Sequence, residues 1–167
     1  RSKSAIPNAH ESSVRGLAFT KDGRALVTAS WDHAAKLWDV ETGRERLAFR
    51  GHTQGLWGLA VSPDGALLAT ASSDHTVKLW DIASGEERRT IPAHAKEVAA
   101  VAFSPDGRWL ASGGWDRKVR VWDAGSGAEV VSFPGHEDAV WSVAFSPDGR
   151  WLASGGLDRK VRLWKLP

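Results

Sequence analysis

Apolar residues alternate with polar or small ones over short stretches, as in GLAFT at 16–20, LVTAS at 26–30 and AKLWD at 35–39. A two-residue period is that of a β-strand with one face turned to a core. Gly, Pro and Asp cluster between the stretches. Ser104-Pro105-Asp106-Gly107 reads as a hairpin turn and Ser84-Gly85 as another. No stretch carries apolar residues at helical spacing, so the pattern predicts an all-β chain of short antiparallel strands.

The pattern also repeats. His10, His52, His94 and His136 stand 42 residues apart, as do Asp32, Asp74, Asp116 and Asp158, and Trp38, Trp80, Trp122 and Trp164. Asp22-Gly23, Asp64-Gly65, Asp106-Gly107 and Asp148-Gly149 keep the same step. A fixed period of this length marks a repeat architecture, and each copy has room for four strands, one blade of a β-propeller. The predicted blades are 10–51, 52–93, 94–135 and 136–167. The last lacks a fourth strand of its own, and residues 1–9 are a candidate closing strand.

Gly51-His52, Ser62-Pro63-Asp64-Gly65 and LLATASSDHTVKLWD at 67–81, with their counterparts, resemble the WD-repeat family over nearly the whole chain. The resemblance implies a His in the loop before the innermost strand, an Asp in the turn between the second and third strands, and Trp-Asp ending the third. Fourth strands would then be segments such as RERLAFR at 44–50 and AEVVSF at 128–133. It also implies a protein-interaction scaffold rather than an enzyme.

Each copy holds a His, a hydroxyl and an Asp, which invites comparison with a Ser-His-Asp triad. The family resemblance implies structural tetrads instead: His10, Thr28, Asp32, Trp38; His52, Thr70, Asp74, Trp80; His94, Ser112, Asp116, Trp122; and His136, Ser154, Asp158, Trp164. The hydroxyl assignment has an internal check. Ser30 and Ser72 lie nearer the Asp, but Gly114 and Gly156 replace them in the later copies. Four equivalent sets, two with Thr, fit repeated structural glue, so no catalytic residue is expected.

Composition removes further classes. Twenty-two basic residues against 20 acidic ones leave a net charge of +2, too small a surplus to point to nucleic acid or an anionic membrane. No Cys is present, so disulfides and thiolate metal sites are excluded. Walker, HExxH and Rossmann fingerprints are missing, and His33 and His75 have no partner at metal-ligand spacing. Neither metal nor cofactor is expected. The Arg-Lys-x-Arg stretches at 117–120 and 159–162 direct Lys118, Arg120, Lys160 and Arg162 to one face, expected to be solvated. No apolar run has the length of a membrane-spanning helix and no signal peptide is evident, which makes cytoplasm the expected location. The start at Arg1 suggests a piece of a longer polypeptide or a lost tag.

Function is expected where the copies differ. Residues 101–120 and 143–162 match at 19 of 20 positions, and the one difference is Trp115 against Leu157. The corresponding residues elsewhere are Trp31 and Ser73. A second variable position holds Arg15, Trp57, Ala99 and Trp141, and a third holds Ser13, Gly55, Glu97 and Ala139. By resemblance, these positions line the top face around the channel and grip peptide segments. Trp31, Trp57, Trp115, Trp141 and Arg15 are therefore the candidate partner contacts, since large aromatics anchor interfaces and Trp faces hold Arg or Lys. Trp109 and Trp151, at strand starts, read as structural.

Propeller rings hold about four to eight blades, and WD-type rings are at the upper end of that range. Four such blades form an arc with two bare apolar faces. A second copy closing an eight-bladed ring, the remaining blades of a longer parent, or a tight four-bladed closure would each cover them. The homodimer is the favoured expectation, because closed dimers are the commonest oligomers. SAIPNAH at 4–10 could supply the missing strand, although Pro7 lacks a donor and one residue is extra relative to TIPAH at 90–94. Lys165 also stands where Asp usually follows the Trp. The alternative function is a self-assembling or engineered propeller fragment whose blades serve oligomerisation alone.

Overall fold

A computed structural model describes residues 5–167 as four antiparallel sheets. The first holds β1 (Val14–Phe19), β2 (Ala25–Ser30), β3 (Ala34–Asp39) and β4 (Glu45–Arg50). The second holds β5 (Leu56–Val61), β6 (Leu67–Ser72), β7 (Thr76–Asp81) and β8 (Glu87–Pro92). The third holds β9 (Val98–Phe103), β10 (Trp109–Gly114), β11 (Lys118–Asp123) and β12 (Glu129–Pro134). The fourth has three strands, β13 (Val140–Phe145), β14 (Trp151–Gly156) and β15 (Val161–Lys165).

Strands pair in chain order within each sheet, giving an up-and-down meander. The turns between first and second strands are built by side chains. Ser62 Oγ donates to Asp64 Oδ1 at 2.5 Å and accepts from the Leu67 N–H at 2.9 Å. Asp64 Oδ1 in turn accepts from the Ala66 N–H. Gly65 has φ 80°, where a Cβ is costly, so Gly recurs at this step.

Sheets stack face to face, and the second strand of each inner blade is covered on both sides. That is why β6 reads LLATAS, apolar or small throughout, while outer β8 reads ERRTIP and keeps its charges in solvent. Three apolar seams result. Leu37 and Phe49 meet Leu56, Leu68 and Trp80; Val77, Leu79 and Ile91 meet Val98, Leu110 and Trp122; Val119 and Val121 meet Val140, Val143 and Leu152.

The innermost strands β1, β5, β9 and β13 pack in succession, and no comparable contact joins β13 back to β1. The described residues therefore form an open arc, not the tight four-bladed closure. Its end faces are bare: Leu17 is 65% and Phe19 61% exposed on the first blade, Val161 78% and Leu163 67% on the last. Trp151, expected to be structural, is also exposed, whereas its counterpart Trp109 packs against the third seam. The expectation of a closing strand in residues 1–9 lies partly outside the described residues. Ala5–Ala9 belong to no strand; Ile6 and Pro7 lie beside Trp38, and the Ala9 carbonyl accepts from Lys36 Nζ at 2.8 Å.

One expectation needs correction. Arg120 is not solvated: it bridges Asp116 at 3.0 Å and Glu129 at 3.3 Å and donates to the Ala93 carbonyl at 2.7 Å. Its counterpart Lys78 is buried against Glu87 and Thr90. Alternation places these cations on one face correctly, but the outer strand and the His loop fold over that face. Lys118 and Lys160 remain exposed.

Candidate functional site

The His, hydroxyl, Asp and Trp of each copy converge. His52 Nδ1 lies 2.7 Å from Asp74 Oδ2 and Nε2 lies 2.8 Å from Thr70 Oγ1, which accepts from Trp80 Nε1 at 2.8 Å. His10, Thr28, Asp32 and Trp38 repeat this at 2.7, 2.6 and 2.9 Å. His94, Ser112, Asp116 and Trp122 give 2.7, 2.8 and 2.9 Å, and His136, Ser154, Asp158 and Trp164 give 2.9, 2.8 and 2.9 Å. One proton arrangement satisfies every group: Nδ1–H donates to carboxylate, hydroxyl to Nε2, and indole to hydroxyl.

The hydrogen-bond order matches a catalytic triad, but access differs. Thr70 and Ser112 are fully buried. The oxygen that would attack is already accepting from an indole and is sealed beneath the blade surface. Burial works against ionisation of Asp74, yet bonds from His52 and Thr76 and from the Thr53 N–H outweigh it and hold the carboxyl well below its usual range. Asp116 behaves alike, with His94 and the Ala95 N–H as donors.

The Ser or Gly choice beside the tetrad has a steric cause. Ser72 Oγ donates to the Gln54 and Gly55 carbonyls, each at 3.1 Å, and accepts from the Asp74 N–H at 3.1 Å. A Cβ on Gly114 would lie 2.4 Å from His94 Nδ1. In that blade Arg120 reaches over the Asp instead.

At the same end of the strands, the variable positions meet. Every inner strand carries a register shift there, leaving Arg15, Trp57, Ala99 and Trp141 as the extra residues of four β-bulges. A bulge bends the strand and re-aims the side chain it carries. Trp57 sits centrally, its ring 5.1 Å from that of Trp31, 5.8 Å from Trp115 and 5.2 Å from Trp141. Trp115 and Trp141 are 5.7 Å apart, so one tryptophan from each blade joins a single cluster. The Arg15 guanidinium caps it, 5.1 Å above Trp31 and 5.0 Å above Trp57. Gly55 makes room: a Cβ there would approach Trp31 Cδ1 to 3.0 Å.

The cluster is partly exposed, with Trp31 the most open member and Trp57, Trp115 and Trp141 half-buried. Trp57 Nε1 donates to Ser73 Oγ at 2.7 Å. Among the described residues, the buried indole nitrogens of Trp115 and Trp141 have no acceptor. Beside Trp31 and Trp57, Ser12, His33, Gln54 and Ser73 line a shallow groove. The cluster residues are legible in the sequence as variable positions, whereas the bulges leave only one signal there, the constant distance of five residues from each tetrad His.

No curated protein matches this chain. The family described as WD domain, G-beta repeat matches it four times, over residues 2–39, 43–81, 85–123 and 127–165. Each match after the first begins in the loop before an outermost strand and ends at the Asp or Lys that follows the tetrad Trp. Four in-phase matches across nearly the whole length, on blades each held by the same buried tetrad, place this chain in the WD-repeat family.

Proposed function

We propose that this chain is a protein-interaction scaffold that grips a peptide segment of its partner on the tryptophan-lined end of the arc. Repeats of this family generally serve as interaction scaffolds, and the family is typically non-enzymatic. The aromatic cluster is the observation that carries the reading. Trp31, Trp57, Trp115 and Trp141 come from four different blades, occupy the positions at which nearly identical repeats diverge, and retain exposed surface under Arg15. Partly open aromatic clusters with a polar surround are the usual anchors of protein interfaces.

The test compares the two ends of the blades. Arg15→Ala with Trp31→Ala should abolish capture of partners identified with the unaltered chain, while Arg44→Ala at the Asp-Gly end should leave it intact. Equal capture by both variants, with folding verified by circular dichroism, would remove the tryptophan end as the binding surface.

A second reading, closure by a second copy, is favoured by the end faces. Leu17 and Phe19 repeat, by the 42-residue step, Val101 and Phe103 or Val143 and Phe145, which pack on a preceding blade. Val161 and Leu163 repeat Val119 and Val121, which receive a following blade. A Cβ on Gly113 would meet Val140 at 2.7 Å, whereas one on Gly155 meets nothing within 4 Å. The bare faces thus complement each other, and two copies joined at both would form an eight-bladed homodimer. Light scattering should give twice the 18.1 kDa chain mass, and Leu163→Glu should return it to one. A monomer at micromolar concentration before substitution sinks this reading.

A further inference from the structure

The aromatic cluster contains one filled position and several unused ones. A cation is the ligand that stacked tryptophan faces attract, but Arg15 already lies over Trp31 and Trp57 from within the chain. Among the described residues, that guanidinium makes no hydrogen bond or ion pair, so its five donors are unspent. Two neighbouring indole N–H groups are unspent as well. Trp115 Nε1 and Trp141 Nε1 have no acceptor among the described residues, although their rings are only 5.7 Å apart.

The repeat explains one of these orphans. Trp57 donates to Ser73, sixteen residues on, and the residue sixteen after Trp141 is Leu157, which offers no acceptor. Buried donors in folded proteins are nearly always paired, and an orphan persists where something else supplies its acceptor. Every unsatisfied polar group of the cluster is a donor. We propose that the cluster recognises a carboxylate, carried by an acidic side chain of the partner's peptide segment. The carboxylate accepts from Trp141 and Trp115 after a rotation of these rings toward the mouth of the arc, and Arg15 balances its charge. Apolar neighbours of the acidic residue in the peptide rest against the open face of Trp31.

This inference rests on the tryptophan end being the binding surface, and the experiment separates the two. The chain, labelled with ¹⁵N at its indoles, is titrated with three terminally blocked pentapeptides: Ala-Glu-Leu-Glu-Ala and the same peptide with Gln or Lys in place of both Glu. The Glu peptide should shift the indole resonances of Trp115 and Trp141 and bind about tenfold more tightly than the Gln peptide, as expected for charge-assisted bonds. Arg15→Gln should remove most of that preference. Leu157→Ser, which gives Trp141 an internal acceptor, should weaken the Glu peptide while leaving the fold intact.

Equal binding of the Glu and Gln peptides, or tightest binding of the Lys peptide, overturns carboxylate recognition and leaves the surface reading standing. If none of the three moves any indole of the cluster, both fail.

Discussion

Trp57 and Ser73 form an indole-to-hydroxyl hydrogen bond of 2.7 Å between the bulge of one inner strand and the turn that follows the next strand. The corresponding pair in the last blade is Trp141 and Leu157, and there the indole N–H is buried and unpaired. Leu157 is itself more than half exposed, so replacing it forfeits little burial. Leu157→Ser should raise stability by about 1 kcal/mol, the net value of a regained hydrogen bond, and Ser73→Ala should lower it by a comparable or larger amount. Urea midpoints of the two variants provide the measurement, and a destabilised Leu157→Ser would contradict the pairing logic.

The tetrads contain their own control. Thr70 Oγ1 serves both His52 and Trp80, so Thr70→Val leaves two buried groups without partners and should cost roughly 3 kcal/mol. Thr70→Ser keeps the oxygen, and Ser112 and Ser154 perform the same task in the later blades at nearly the same distances. It should cost less than about 1 kcal/mol, the order of a lost methyl. Equal losses for Val and Ser in thermal unfolding would mean that packing, not the hydrogen bonds, governs the site.

Acid should find the same sites. Asp74 and Asp116 are held below the ordinary carboxyl range, burial opposing and the His, Thr and backbone donors prevailing. Half-buried Asp39 and Asp81 are lowered to about 2, the first chiefly by the Thr42 N–H and Arg46, the second by Arg88 and the Ser84 N–H. A folded carboxyl below its unfolded value of about 3.9 contributes stability that is complete above that value and lost as pH falls toward the folded one. Urea midpoints should therefore stay level from about pH 7 to 5 and fall steeply below about pH 4. Asp74→Asn should start lower and show a shallower acid limb; an unchanged slope would exclude this carboxylate as a contributor.

Trp57 touches three other tryptophans and lies under Arg15, whereas Trp31 is the open rim of the cluster. Trp57→Ala should accordingly cost roughly 3 kcal/mol, in the range of large-to-small replacement of packed aromatics, and Trp31→Ala clearly less. Calorimetric unfolding of both separates a member that supports the blades from one that presents a surface.

Much of this was legible in the sequence because the tetrad groups recur at a fixed step. A fourfold period in His, hydroxyl, Asp and Trp reveals which residues share a place even before the bonds between them are known. The tryptophans of the cluster were legible for the opposite reason, as departures from near-identity. Alternation was less informative about Lys78 and Arg120. It assigns them a face, but it carries no sign that a neighbouring strand and loop cover that face and supply Glu87, Glu129 and the Ala93 carbonyl. The bulges at Arg15, Trp57, Ala99 and Trp141 are a matter of register between strands, which no single strand's pattern encodes.

The bare ends differ from each other, and this has a consequence for growth. Leu17 and Phe19 repeat residues that pack on a preceding blade, and Val161 and Leu163 repeat residues that receive a following one, so copies joined at these faces would join head to tail. Joining of that kind has no intrinsic last step. It stops when the string of copies meets its own beginning, and otherwise continues as a fibre. In such an assembly the angle between blades, set at seams such as that of Gly113 and Val140, would decide whether the string closes. A substitution there that alters the angle between blades without loosening them would then turn a closed ring into a filament.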